Sequence, residues 1–460
     1  MPANNRLIGL AVALAIVCYI LLRYLNYSHA IAATAAITLL TATLWVSEAL
    51  PIPVTSIIPF FAFPMVGVLD QAQAASALGN HVILLLMGAF MLSKALEKSN
   101  VHSRLAYYLV NLTGGGSAKR LVLGFMLTSA LLSMWISNSA TTLMLLPITL
   151  AVLKHVSDPK LTMAMLLGIA YAASLGGVGT PVGTPPNIIF MSVYLETQGK
   201  EISFIDWMKT GVPIVLLGIP VIAWWLTRHL NNNHVFKLPK SGGWQQAEIR
   251  VLLVFGLVAL AWMFRPFWSV WFNMPSIGDS SIALAGVVLM FLIPAGSTNS
   301  DNNNTATTLL DWRTAVDIPW GMLLLFAGGI CIAKAFAVSG LSELMGQGLS
   351  GLAELPVLLL ILMICLFVTF LTEITSNTAT ATLLMPILAS VGMATGIDPA
   401  LLMMPAAISA SCAFMLPVAT APNAIVYGMD KFSIKDMARQ GFMINILLAV
   451  IVTLVSYLTL

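Results

Sequence analysis

The sequence predicts an all-α polytopic membrane protein of about eleven transmembrane helices plus two re-entrant hairpins. Three observations carry that prediction. Of the 460 residues, 59% are apolar and only 8% are charged, against about 25% charged in a soluble domain. Apolar runs near the bilayer-crossing length of about 17–25 residues recur from end to end. A short polar phrase occurs twice inside such runs, as Ser137-Asn138-Ser139 and Ser376-Asn377-Thr378. A net charge of +3 points to no nucleic-acid partner.

Taken in order, residues 7–25 and 31–47 form the first two spans. Arg6 ahead of an apolar run has the look of a signal peptide. The run is too long for a signal core, lacks a small-residue cleavage site and precedes many further spans, so it reads as a helix that stays. Residues 54–69, opened by Glu48-Ala49-Leu50-Pro51-Ile52-Pro53, make the third span and 82–96 the fourth. Residues 102–112 are amphipathic and are expected along the interface, before Gly114-Gly115-Gly116. Residues 121–153 carry the first polar phrase in their middle, which predicts a re-entrant hairpin. Residues 161–194 form a span broken at 176–187. Spans at 212–226, 249–264 and 282–293 follow, then a polar loop at 299–308 and a span at 318–336. The second hairpin covers 355–391, a span broken at 417–423 covers 401–429, and 442–460 closes the chain.

The halves repeat. Each phrase is followed by a Pro-Asn segment, Pro185-Pro186-Asn187 and Pro422-Asn423, and serine to asparagine is 50 residues in one half and 47 in the other. The phrases are offset by 239, and the run from Leu84 to Ala95 matches that from Leu324 to Ala335 at an offset of 240. Five spans run from the fourth up to, but not including, its counterpart the ninth, so the second copy is expected to be inverted. With the N-terminus cytoplasmic, fifteen Lys and Arg residues fall on the cytoplasmic side, including Lys98, Lys237, Lys240 and Arg313. Four (Arg23, Lys200, Lys209, Arg265) fall opposite, the bias of cytoplasmic loops. The C-terminus is then outside.

Such breaks free backbone N–H and C=O groups that hydrocarbon cannot satisfy, so they belong where protein encloses a polar cavity. Paired interrupted segments in corresponding positions point to a transporter's binding site. A half-helix starting after each phrase offers free N–H groups and a dipole that favour an anion. Two opposed tips suit a ligand with an anionic group at each end, and the freed carbonyls and hydroxyls suit an alkali cation. A single Ser-Asn-Thr in a membrane helix is more often an interhelical hydrogen bond; two copies with matched partners favour a site. Glu373 is either a functional carboxylate or a buried structural acceptor. Lys94 and Lys334 are expected to snorkel. Glu48 is expected to be structural. The four cysteines read as small core residues, and the six histidines suggest no metal. No nucleophile–base set marks an enzyme.

At these residues the sequence resembles the divalent anion/sodium symporter family. The resemblance covers nearly the whole chain: the Glu48–Pro53 segment, both serine phrases, both Pro-Asn segments and Pro319-Trp320-Gly321. It implies a bacterial inner-membrane importer of C4-dicarboxylates (succinate, fumarate, malate) coupled to sodium, with no organic cofactor. It also implies a homodimer in lipid, working by an elevator motion of a transport domain against a scaffold. A sodium-independent exchanger and a citrate or sulfate symporter are the alternatives. The implied domains are 1–113 (scaffold and interfacial helix), 114–210 (first hairpin and broken helix), 211–354 (scaffold and start of the second repeat), 355–430 (second hairpin and broken helix) and 431–460 (last helix). Carried over by motif, Ser137, Asn138, Ser139, Ser376, Asn377, Thr378, Thr420 and Pro422 contact substrate. Ser133, Ser137, Asn138 and Gly183 form one sodium site, and Thr372, Thr375, Asn377 and Ala419 the other. The chain departs from the family pattern at Ser139, where Thr is usual, and at Ala421, where Pro is usual.

Overall fold

A computed structural model describes residues 5–113, 117–154, 158–230, 243–296, 308–348 and 355–460. The glycine run 114–116, residues 299–307 of the polar loop, Lys237 and Lys240 lie outside them. Every described element is helical apart from one isolated bridge between Pro294 and Thr308. Among the described residues, nine helices are long and apolar enough to cross a membrane.

Helices α1 (Asn5–Tyr24) and α2 (His29–Ser47) pack on each other at the periphery, and α1 leaves most of its apolar surface outward. Ser28 caps α2 through Ile31 N. The expected third span differs: it is two short helices, α3 (Ile52–Thr55) and α4 (Ile58–Met65), followed by α5 (Gln71–Leu78). Prolines 51, 53, 59 and 64 deny backbone donors along this stretch, and Ser56 closes α3 with its hydroxyl on Ile52 O at 2.7 Å. α6 (His81–Lys98) and the amphipathic α7 (Val101–Thr113) follow as expected.

The first hairpin is α8 (Ala118–Ser133) and α9 (Asn138–Leu153). The broken helix is α10 (Pro159–Gly176), a 3₁₀ turn (Gly177–Gly179) and α11 (Pro185–Gln198). Then come α12 (Phe204–Thr227), α13 (Gln246–Trp271), α14 (Asp279–Leu292), the short α15 (Trp312–Ala315), α16 (Trp320–Ser339) and α17 (Leu341–Gly348). The apolar runs do not announce α15 or α17. The second hairpin is α18 (Val357–Thr372) and α19 (Asn377–Thr395). The second broken helix is α20 (Pro399–Ala410) and α21 (Ala421–Tyr427), before α22 (Ile434–Thr459). This second break spans residues 411–420, six residues earlier than Pro417 announces.

The core lies around α10, which is buried along nearly its whole length and packs on α8, α9, α12 and α21. Small residues make this possible. A Cβ on Gly176 would come within 2.4 Å of the Ala130 backbone, and one on Gly441 within 2.1 Å of Phe414 O. α12 packs on α8, α10 and α22, and α22 on α18, α12 and α20.

Candidate functional site

Both hairpin tips and both helix breaks face one cavity of about 1020 Å³. The helix starts converge there. Ser137, Thr184, Ser376 and Thr420 immediately precede α9, α11, α19 and α21, and all four line the cavity. Ser137 is extended (φ −57°, ψ 143°) and its Oγ accepts from Ala140 N at 3.3 Å. Thr420 Oγ1 accepts from Asn423 N at 3.2 Å. Thr184 caps nothing of its own helix; its Oγ1 lies 3.2 Å from Ser411 Oγ, which ties the two breaks together. Ser376 makes no side-chain cap bond.

The two halves are built alike. Ser133 Oγ donates to Asn138 Oδ1 at 2.6 Å, five residues on; Thr372 Oγ1 donates to Asn377 Oδ1 at 2.7 Å, again five residues on. Asn187 Nδ2 donates to Gly177 O (3.0 Å) and Thr180 O (2.8 Å), ten and seven residues back. Asn423 Nδ2 donates to Ala413 O and Leu416 O, both at 3.0 Å, at the same two spacings. Each asparagine thus staples its break by its own unwound carbonyls, which would otherwise be buried unpaired. Thr180 Oγ1 reaches Met134 O at 2.5 Å and Tyr171 OH reaches Phe414 O at 2.7 Å, joining the first tip to its break and α10 to the second break.

Of the residues the motifs singled out, Ser137, Asn138, Ser139, Gly183, Thr375, Ser376, Asn377, Thr378, Ala419, Thr420 and Pro422 all line the cavity. Ser133 and Thr372 are fully buried behind it, held to the asparagines. The first set is tight: a Cβ on Gly177 would lie 2.8 Å from Asn138 Oδ1, and one on Gly183 only 2.4 Å from Gly177 O. In the second set, Thr375 Oγ1 sits 2.6 Å from Thr380 Oγ1 and donates to Leu371 O. All these are hard, neutral oxygen donors, the kind an alkali cation takes. Among the described residues no cluster of His, Cys, Asp or Glu is arranged for a metal ion.

The charges lie elsewhere. The charged side chains lining the cavity are Glu48, Lys94, Glu97 and Asp317, on α6 and the turns beside α2 and α16. Lys94 does face the cavity, but its ammonium is held by Glu97 (3.0 Å) and Asp317 (3.2 Å). Lys334 does not line it; Lys334 bonds Ser76 Oγ at 2.6 Å and approaches Glu196 to 3.6 Å. Glu48 closes α2 in a left-handed conformation, φ 48°. Cys331, Cys365 and Cys412 are free and buried, and Cys18 is free and half-buried. Glu373 is buried away from the cavity, and four donors converge on its carboxylate.

Sequence reasoning missed Thr184, although Thr184-Pro185-Pro186-Asn187 and Thr420-Ala421-Pro422-Asn423 are in register at an offset of 236. It also missed Trp135, Val182, Ile374 and Val418, which give the cavity apolar walls. Ile374 and Val418 are 75% and 82% exposed.

Helix starts, hydroxyls and amides gathered on one polar cavity inside a multi-pass helical protein are the architecture of a membrane transporter. Comparison with known proteins says which. The chain matches the family described as the sodium:sulfate symporter transmembrane region over residues 4–459. It belongs to this divalent anion:sodium symporter family, whose members are transporters and not enzymes. Among its relatives is the sodium-dependent dicarboxylate transporter SdcS of Staphylococcus aureus, strain NCTC 8325 / PS 47. That protein is 41% identical over 448 residues, which is 92% of this chain and 84% of SdcS; the SdcS of strain USA300 gives the same values. Two solved structures share the fold. The YdaH transporter of Alcanivorax borkumensis has a TM-score of 0.56 at 15% identity, over 90% of this chain and 89% of that one. MtrF of Neisseria gonorrhoeae, placed in a class of antimetabolite efflux pumps, has 0.60 at 12%, over 86% and 83%.

Proposed function

We propose that this chain imports C4-dicarboxylates such as succinate, fumarate and malate across the bacterial inner membrane, driven by co-transported sodium. The convergence of four helix starts on one cavity carries the reading. Each start offers unpaired N–H groups and about half a positive charge, so a dianion is held without a basic side chain. Carboxylate oxygens meet Ser137, Asn138 and Ser139 at one tip and Ser376, Asn377 and Thr378 at the other, with Thr420 and Pro422 beside them. Sodium takes the oxygens of Ser133, Ser137, Asn138 and Gly183, and those of Thr372, Thr375, Asn377 and Ala419. Its charge offsets the dianion's in a site of low dielectric. The relative named for sodium-dependent dicarboxylate transport supports this choice of solutes.

Transport proceeds by an elevator motion of a transport domain, built from both inverted halves, against the scaffold of a homodimer. The hairpins and broken helices move as one body against α2–α6 and α13–α16. The packing of α12 and α22 on the hairpins supports counting both with the moving body. Lys94, Glu97 and Asp317 line the cavity, Asp317 80% exposed, and Lys98 with its partner Asp311 follows on the same side. The positive-inside bias makes that side cytoplasmic, which supports reading the conformation as inward-facing.

The test is labelled succinate uptake into proteoliposomes with an inward sodium gradient, and with potassium in its place. Accumulation with sodium alone is expected. Sodium-independent uptake that requires internal dicarboxylate would establish exchange instead.

A further inference from the structure

Glu373 stands between α18 and α19 inside the second hairpin tip and is 3% exposed. Its Oε1 accepts from Phe414 N (2.7 Å), Met415 N (2.9 Å) and Asn445 Nδ2 (2.7 Å), and its Oε2 from Leu416 N (3.0 Å). All four partners donate, and only the ionised carboxyl is an acceptor alone. The three consecutive N–H groups form an anion-binding nest, filled here by the protein's own carboxylate. The four bonds satisfy the oxygens but leave the charge in place, and among the described residues no ion pair includes Glu373. A buried charge is costly without an opposite one, and ionisable groups inside membranes mark ion pathways.

The first hairpin has Met134 at this position: Met134 lies four residues before Asn138, as Glu373 lies four before Asn377. Its break is closed by the 3₁₀ turn Gly177–Gly179 and by Thr180 Oγ1 on Met134 O. The carboxylate is therefore an addition of the second half alone. Thr372, Thr375 and Asn377, three of the four residues proposed for the second sodium, flank it within four positions.

We infer that Glu373 sets the affinity of the second hairpin tip for its co-transported cation, acting through space and making that site the tighter of the two for sodium. The inference rests on the sodium-coupled reading above. Glu373 does not touch the solute, since it does not line the cavity. At an effective dielectric constant of about 20, two unit charges up to about 10 Å apart change a binding constant roughly tenfold or more.

The experiment measures the sodium dependence of succinate uptake by the full chain in proteoliposomes, beside thermal unfolding. Glu373→Gln removes the charge and is expected to raise the half-saturating sodium concentration tenfold or more. Asn445→Ala removes a bond but keeps the charge, and Glu373→Asp keeps the charge while spoiling its fit to the nest. Both are expected to lose thermal stability while half-saturating sodium stays within about twofold of the unmodified protein. Half-saturating sodium that is unchanged in Glu373→Gln overturns the inference. So does a rise in Asn445→Ala or Glu373→Asp that tracks their loss of stability, a result readable even if Glu373→Gln does not fold. Sodium-independent uptake by the unmodified protein removes the coupling itself, and the inference with it.

Discussion

Replacing Gly183 by alanine tests the first hairpin site most directly. The added Cβ would lie 2.4 Å from Gly177 O and 2.8 Å from Gly177 Cα, where ordinary contact is 3.4–4 Å. These are backbone atoms, so one strand of the break must move by about 1 Å. Gly177 O accepts from Asn187 Nδ2 at 3.0 Å, and a shift of that size removes the bond. Overpacking costs about 1–3 kcal/mol, and a buried carbonyl left unpaired about 1–3 kcal/mol more. We expect a stability loss of about 2–6 kcal/mol and uptake near background, because Gly183, Gly177 and Asn138 move apart together. Gly256→Ala on α13 is the control: nothing lies within 4 Å of its Cβ, and uptake is expected to be unchanged. The assays are sodium-driven succinate uptake and thermal unfolding followed by tryptophan fluorescence. Normal uptake with normal sodium dependence in Gly183→Ala would refute the view that this contact shapes the site.

Other outcomes follow from named contacts. Asn138→Ala strips the buried Ser133 hydroxyl of its acceptor, and Asn377→Ala takes one of two from Thr372, which keeps Ala410 O at 3.1 Å; both are expected to abolish uptake in a protein that still folds, and normal uptake by both would sink the site assignment. Asp279→Asn leaves Arg265 without its 2.7 Å partner, where the two side chains are 3% and 12% exposed. A loss of about 2–4 kcal/mol in thermal stability is expected, below the full cost of about 3–5 kcal/mol for halving a buried pair because Glu201 still holds Arg265 at 3.0 Å. Asp311 caps α15 through Thr314 N, and its hydrogen bond from Lys98 leads in pushing its pKa down to about 2. Its folded value is below the unfolded one of about 3.9, so its contribution is full above about pH 4 and is lost as pH falls through about 2. The side chain is 45% exposed, which limits the pair to about 0–1 kcal/mol. In thermal unfolding, Asp311→Asn is expected to lie slightly below the unmodified protein at pH 7 and to converge with it in acid; a gap as wide at pH 2 as at pH 7 would contradict the pairing.

How much of the site was legible follows from what its residues do locally. Ser137, Asn138, Ser376 and Asn377 announce themselves because a polar break inside an apolar run has one economical explanation. Thr184 was legible in principle, by register with Thr420. Glu373 was not: its neighbours in sequence leave it free to be a ligand or an acceptor, and the donors that decide the matter lie 41, 42, 43 and 72 residues away. The same bonds explain why the second break begins at 411. The carboxylate satisfies N–H groups that no helix turn then has to satisfy, so the chain unwinds six residues ahead of its proline.

By itself the sequence determined the membrane class, the hairpins, the approximate breaks and the family, since each rests on composition, spacing or a motif along the chain. Only the tertiary structure decided that four helix starts share one cavity. The same holds for Lys94, which faces that cavity already paired, and for α12 and α22, which pack with the hairpins. The physical reason is distance along the chain. Tyr171 reaches Phe414 across 243 residues and Thr184 meets Ser411 across 227. Periodicity and local bonding record which face of a helix is apolar, but not which distant helix will cover it.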